Sequence, residues 1–373
     1  MRWVFWAAVA LIAYTYAGYP AWLWLRSRWL PWPVERGPVQ PNVSIVMVVR
    51  NEERVLRSKL ENLLLLDYPP ELTDVVVVSD GSTDGTEAIL HEYARNPRVR
   101  TVLNQLAQGK ASGLNDALEW AQGDVVIFTD ARQKIEAGAV RKLLENFADP
   151  EVGCVSGELM LGDPDAGENG QGMGLYWRIE KTVRELESAS GSVVGATGAL
   201  YGVRRELLGK IPPETLLDDV YIPMLVVRQE KRVIFETQAR AWDLADLGAG
   251  REFARKVRTL SGNYQLLQQA PWLLSGSNPI RMEFVSHKLL RLVVPFALLA
   301  CLGSCAFLPG PFYRAVLVLQ VVFYASSLVG MTRMKTGLFS RLGDAAYTFV
   351  VLNTAAIVAF ANFVTGRKTA WTR

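Results

Sequence analysis

Residues 43–52 read Val-Ser-Ile-Val-Met-Val-Val-Arg-Asn-Glu, and residues 75–86 read Val-Val-Val-Val-Ser-Asp-Gly-Ser-Thr-Asp-Gly-Thr. Each is a short apolar run that stops abruptly at polar and acidic residues. Runs without polar alternation belong to strands covered on both faces, the condition of a parallel sheet held between helices. Val125–Phe128 is a third such run and ends in Thr129-Asp130-Ala131-Arg132. Between the runs, Leu56, Leu60, Leu63 and Leu64 share one helical face. The same spacing recurs in Ala111, Leu114, Leu118 and Ala121, and in Val140, Leu143, Leu144 and Phe147. Strand–helix alternation from about Pro41 to Pro279 therefore predicts an α/β fold, a mostly parallel sheet flanked by helices, long enough for one sizeable core.

Outside that stretch the chain changes character. Of its 373 residues 50% are hydrophobic and 11 are Trp, and the mean hydropathy is +0.13, a balance that points to membrane segments. Trp3–Leu25 carries no charge and exceeds the roughly 20 apolar residues that span a bilayer. Trp22, Trp24, Trp29 and Trp32 crowd its far end, with Arg26, Arg28 and Arg36 nearby, the pattern of an aromatic belt and a cytoplasmic basic flank. A cleaved signal peptide is the competing reading, but the apolar region is too long and no small-residue cleavage site precedes Pro20.

Leu292–Leu308, Ala315–Met331 and Ala345–Thr365 are three further candidate spans. Arg333, Lys335 and Arg341 between the last two match a cytoplasmic loop, whereas Arg367, Lys368 and Arg373 then fall outside, against the positive-inside bias. The expectation is a multi-pass protein of the cell (inner) membrane with a cytoplasmic middle. Its parts are a span and basic flank (1–40), a cytoplasmic α/β domain (41–250), amphipathic interfacial helices (251–291) and three membrane segments (292–373). The interfacial reading rests on Phe253, Val257, Leu260, Tyr264 and Leu267, with Arg251, Arg255, Lys256 and Arg258 elsewhere on the helix. It rests equally on Met282, Val285, Leu289 and Leu292, with His287, Lys288 and Arg291 off that face. Ordinary surface helices packed on the domain are the alternative. Residues 162–174, rich in Gly and Asp, read as an exposed loop.

Composition excludes several classes. Two histidines, His91 and His287, leave no HExxH zinc site and disfavour a His-based triad. Three cysteines, none in a CxxC pair, build no disulfide framework; Cys301 and Cys305 read as small apolar residues of a span. The net charge of +3 arises from basic residues flanking apolar runs, so no nucleic-acid partner is expected.

Ligands of parallel sheets bind beyond the carboxyl ends of the strands, so the residues after each run carry the chemistry. They are Asn51-Glu52, Asp80-Gly81-Ser82 and Asp130-Ala131-Arg132. Carboxylates gathered at neighbouring strand ends repel one another unless a cation or hydrogen-bond donor lies between them. A nucleotide diphosphate with a divalent metal meets that need. Helix capping and turn chemistry explain any one of these motifs alone. Lys110 opens a helix, where the dipole does not favour a cation; it is either a ligand contact or a solvated lysine.

Taken in order, Asn51-Glu52, Asp80-Gly81-Ser82, Gly109-Lys110, Asp130, Gly195-Ala196-Thr197-Gly198 and Leu217-Asp218-Asp219 resemble the family-2 glycosyltransferases. With the spans, the resemblance is to the membrane-embedded branch of cellulose, chitin-oligosaccharide and hyaluronan synthases. It implies a GT-A fold and a nucleotide-sugar donor, with UDP first. Asn51, Glu52 and Asp80 would contact base and ribose, Lys110 would lie near the donor, and Asp130 would bind Mg2+ or Mn2+ on the diphosphate. Gly195, Ala196, Thr197 and Gly198 would face the acceptor. Asp219, second acid of the pair with Asp218, would be the catalytic base. Arg258, with Arg255 in the same stretch, would face the diphosphate.

Two departures stand out. The family's Asp-x-Asp is Asp130-Ala131-Arg132 here, which makes Arg132 either a second diphosphate clamp or an outward-facing side chain and weakens the case for a metal. The family's Gln-x-x-Arg-Trp is Arg255-Lys256-Val257-Arg258-Thr259, without the Trp that stacks on a growing chain. The resemblance implies inverting transfer to a saccharide or lipid-linked acceptor at the cytoplasmic membrane face, for surface polysaccharide or glycolipid. An export partner or a homo-oligomer is possible within it. The competing readings are a sugar-nucleotide pyrophosphorylase and a non-catalytic membrane scaffold with a degenerate donor site.

Overall fold

Alternate side chains of the first apolar run, β1 (Val43–Val49), enter two different cores, and all seven residues are buried. Val46 and Val48 join Val76, Val78, Leu114, Phe128, Ile222 and Met224 on one face. Ile45, Met47 and Val49 join Leu56, Leu60, Leu63, Val75, Val77 and Leu143 on the other. The period of two along a strand divides the apolar run in this way, and helices on both sides cover it. The computed structural model describes residues 1–162, 175–243, 249–331 and 338–367; most of the glycine-rich stretch 162–174 lies outside the described residues.

The strands are β1, β2 (Thr73–Asp80), β3 (Val99–Asn104), β4 (Val125–Phe128), β5 (Lys134–Ile135), β6 (Val152–Leu161), β7 (Tyr201–Arg204) and β8 (Arg232–Asp243). They form one sheet in the order β3-β2-β1-β4-β7-β6-β8-β5. The half β3-β2-β1-β4 is wholly parallel. Beyond it β7 runs antiparallel to both β4 and β6, so the sheet is mixed rather than parallel throughout. That reversal matters for the site. Phe128 at the end of β4 pairs with Tyr201 at the start of β7, and their rings stack at 4.6 Å. The segment entering β7 is thereby delivered to the same edge as the parallel strand ends.

Among the described residues, four helices are long and apolar enough to cross a membrane: Arg2–Trp29, Arg281–Phe307, Pro311–Leu328 and Gly343–Val364. Phe5 and Ala8 of the first bury against Ala297, Cys301 and Cys305 of the second. Helix Ala249–Gln269, expected at the interface, stacks Tyr264 on Phe363 of the last helix at 5.0 Å. The stretch around Met282–Leu292 is continuous with its span. It runs from Arg281 to Phe307 with a π turn at Val285–Leu289, which re-phases the helix face and turns His287 inward, to 1% exposure.

Candidate active site

β1, β2 and β4 run parallel and end together at Val49, Asp80 and Phe128. Their following turns therefore meet at one edge, and the acids with them. Helix Asp218–Arg228 begins there too, with Asp218 and Asp219 in its first turn, where the helix dipole favours negative charge.

Lys110 ties the acids together. Its Nζ lies 2.9 Å from Asp130 Oδ1 and 3.1 Å from Asp218 Oδ2. Burial disfavours the ammonium, but Asp130, Asp218 and Asp219 outweigh it and raise the lysine above its ordinary range. The solvated reading of Lys110 is thus set aside; it is a counter-ion. Asp219 is shifted the other way for an acid. Burial, then the neighbouring Asp218 charge, push its pKa up to about 6, against the opposing pull of Lys110 and Lys288. Two adjacent acids thus differ in role: Asp218 is paired, and Asp219 has the proton affinity of a general base working near neutrality.

The Gly195–Gly198 segment forms the wall beside them. Gly195 sits at φ +93°, and a Cβ there would stand 3.0 Å from Val220 Cγ2 and 3.2 Å from the Asp219 carbonyl. The turn lets the Ala196 amide donate to that carbonyl at 2.7 Å. At Gly198 a Cβ would lie 3.4 Å from Asp130 Oδ2 and 3.6 Å from Asp219 Oδ2. The missing side chain leaves both oxygens facing one cradle. Thr197 is held by Ser156 Oγ, which accepts from its amide at 3.1 Å.

The expected donor contacts take a second form: they build the loop. Asp80 is fully buried and accepts from the amides of Gln108 at 2.7 Å and Gly109 at 3.0 Å, fixing the residue before Lys110. Gly81, at φ +62°, lets this loop close in, since a Cβ would strike the Ala107 amide nitrogen at 2.6 Å. Asn51 adopts φ +54°, a conformation Asn tolerates; its amide donates to Ser82 Oγ and its Oδ1 accepts from the Thr83 amide at 2.7 Å. The Glu52 amide donates to Thr86 Oγ1 at 2.9 Å.

Arg132 lies with its Nη2 3.5 Å from Asp243 Oδ2, at the end of β8, and its Nη1 is buried without a hydrogen-bond partner. Arg255 and Arg258 are half-buried on helix Ala249–Gln269 and make no hydrogen bond or ion pair with the acids among the described residues. A divalent cation is compatible with these groups. Asp130 presents Oδ2 to the Gly198 cradle with its side chain 41% exposed, and Mg2+-type ions take one or two carboxylates and complete their shell with phosphate and water. Among the described residues no cluster of three or more His, Cys, Asp or Glu forms a protein-only cage.

Two features escaped the sequence reading. Lys59 is 3% exposed and donates to Thr129 Oγ1 at 2.8 Å and the Gln133 carbonyl at 2.7 Å. Thr129 Oγ1 in turn donates to the Ala199 carbonyl at 2.7 Å, so Lys59 braces the Asp130 turn and the Gly198 wall from below. Burial pushes its pKa down to about 7. Its signal was present, because position 59 lies on the buried Leu56–Leu60–Leu63 face. The second feature is the pairing of Glu187 with His287 across 100 residues, for which no local signal exists.

Residues 44–211 match the family described as Glycosyl transferase family 2. Poly-beta-1,6-N-acetyl-D-glucosamine synthase of Staphylococcus epidermidis is 23% identical over 239 residues, 62% of this chain and 56% of that protein. Beta-monoglucosyldiacylglycerol synthase of Synechocystis sp. is 26% identical over 186 residues, 48% of this chain and 39% of that one. The chain spans about half the length of the curated relatives it matches. Among solved structures, the mannosyltransferase PcManGT from Pyrobaculum calidifontis, in complex with GDP-Man and Mn2+, superposes with a TM-score of 0.75. It covers 98% of this chain and 100% of its own at 23% identity, a likeness of fold.

Proposed function

Because the chain carries a glycosyl transferase family 2 domain, we propose that it moves a sugar from a nucleotide-diphosphate sugar, with inversion, to a membrane-borne acceptor. The donor to test first is a UDP-sugar, with a GDP-sugar beside it in view of the ligand of PcManGT. The acceptor is a saccharide or a lipid-linked molecule reached at the cytoplasmic face, as polysaccharide and glycolipid synthesis by the relatives suggests. The observation that carries this reading is the gathering of Asp130, Asp218 and Asp219 around Lys110 beside Gly198.

A hydroxyl is a poor nucleophile until a base takes its proton. Asp219 accepts that proton as the acceptor oxygen attacks the anomeric carbon from the Gly198 side. Asp218 remains paired with Lys110, and its negative charge keeps the proton affinity of Asp219 high. Lys110 stays charged and holds Asp130 in place toward the cradle. Asp130 would hold a divalent ion, which when bound supplies positive charge to the departing diphosphate. Arg132, Arg255 and Arg258 are the cations assigned to the same phosphates, and Asn51, Glu52 and Asp80 shape the edge that takes base and ribose.

The test is a panel of radiolabelled nucleotide sugars offered to the purified full chain in native lipid, followed by separation of organic and aqueous phases. Label transferred to either phase by the wild type and not by Asp219→Asn is expected. No transfer from any donor overturns the function, and normal transfer by Asp219→Asn overturns the base assignment.

A further inference from the structure

Glu180, Val183, Glu187 and Ser190 lie three and four residues apart on helix Leu175–Ser190 and so share one face of it. Each meets one or both of the first two apolar spans. Val183 packs with Tyr19 and Leu23 of span Arg2–Trp29, and Ser190 Oγ accepts from Arg26 Nε at 2.9 Å. Glu180 Oε2 accepts from Arg291 Nη1 of span Arg281–Phe307 at 2.5 Å. His287 of that span bridges the two acids, with Nδ1 2.8 Å from Glu187 Oε1 and Nε2 2.9 Å from Glu180 Oε1. The Tyr19 hydroxyl donates to the same Glu187 Oε1 at 2.5 Å.

The two oxygens of Glu187 thus serve different bodies. Oε1 takes both spans, while Oε2 accepts from the Val194 amide at 3.4 Å, one residue before the Gly195 turn. Other amides of that turn are held from within the sheet domain. Val193 donates to the Val233 carbonyl at 2.8 Å, Ala196 to the Asp219 carbonyl at 2.7 Å and Thr197 to Ser156 Oγ at 3.1 Å. Among the described residues, Val194 is the amide of this turn whose acceptor also contacts the spans. Glu187, Tyr19 and His287 are each 1% exposed or less. A carboxylate taken wholly out of water is costly, and apolar side chains of similar volume pack as well or better. What such a group supplies instead is direction, since each hydrogen bond has a preferred distance and angle.

We propose that Glu187 is a positioning residue for the Gly195–Gly198 wall. It fixes that wall relative to the two spans and, through the Ala196–Asp219 hydrogen bond, the backbone of the proposed base as well. The effect on turnover rests on the glycosyl-transfer reading; the hold on the wall is independent of it.

The experiment uses the full chain in phosphatidylcholine nanodiscs. It reads hydrogen exchange of segment 192–198 by mass spectrometry, binding of UDP and GDP with Mn2+, and the transfer rate at saturating donor. Glu187→Leu is expected to speed exchange in that segment and to slow transfer, each by about tenfold, the scale of one charge-assisted hydrogen bond. Nucleotide affinity is expected to stay at the wild-type value, because Asn51, Glu52 and Asp80 belong to the ends of β1 and β2. Glu187→Gln keeps an acceptor for the Val194 amide and should fall between. Tyr19→Phe removes one contact on the span side and should move exchange and transfer in the same direction, which keeps the test decisive where Glu187→Leu does not fold. Unchanged exchange in Glu187→Leu and Tyr19→Phe, or faster exchange spread over the whole chain, overturns the proposal. So does a loss of nucleotide affinity in step with transfer, or wild-type transfer despite a loosened wall. A change of exchange confined to this segment, in a protein that transfers no sugar, would overturn the transferase reading and leave this one standing.

Discussion

The buried carboxylate of Asp80 accepts a 3.0 Å hydrogen bond from the amide of Gly109, so the end of β2 sets the backbone from which Lys110 reaches the other acids. Replacing Asp80 by Ala leaves the Gln108 and Gly109 amides without their acceptor, at a cost of roughly 1–3 kcal/mol per buried group. Asp80→Ala is expected to melt earlier and to bind nucleotide weakly, with Asp80→Asn between it and wild type. Thermal melting and nucleotide titration check both.

With Asp219 as the proposed base, its raised pKa sets the acid limb of activity. The base must be ionised, so transfer should fall as pH drops through about 6 and level off above it. Asp218→Asn removes the like charge that helps hold this value up and should move the limb to lower pH. A limb that stays in place in Asp218→Asn would contradict the coupling.

Gly195 and Gly198 separate fold from cradle. Gly195→Ala forces an L side chain into φ +93° against Val220 and is expected to cost about 1–2 kcal/mol. Gly198 has ordinary φ, and its new methyl would meet Asp130 and Asp219 at van der Waals distance. Gly198→Ala should therefore keep its melting temperature and lose transfer.

Lys59 links stability to pH. Its folded pKa of about 7 lies below the ordinary 10.5, so between these values the unfolded chain binds more protons than the folded one. Stability should then rise with pH from about 7 toward 10.5, and Lys59→Met should flatten that rise. Melting curves across this range decide it.

Much of this was legible in the sequence because it is local. Val43–Val49 and Val125–Phe128 have the bounds of β1 and β4, and the acids follow directly from strand ends. The direction of β7 was not legible, since four residues, Tyr201–Arg204, carry no mark of which neighbour they will meet. Lys110 stayed ambiguous for the same reason, as its partner Asp218 lies far along the chain. Arg132 reads from sequence as either a second diphosphate clamp or an outward-facing side chain; its contact with Asp243, a residue no motif singles out, was not legible.

The His287–Glu187 contact also bears on how the molecule can be divided. Glu187 touches Tyr19 and His287 from two membrane helices and the Val194 amide next to the Gly195 turn. Trimming the spans to make a water-soluble fragment would leave Glu187 buried beside the Gly195 turn without its Tyr19 and His287 partners, and would take His287 and Arg291 from Glu180. Solubilisation by truncation should therefore cost the protein its working shape, whereas extraction of the whole chain into detergent or nanodiscs should not.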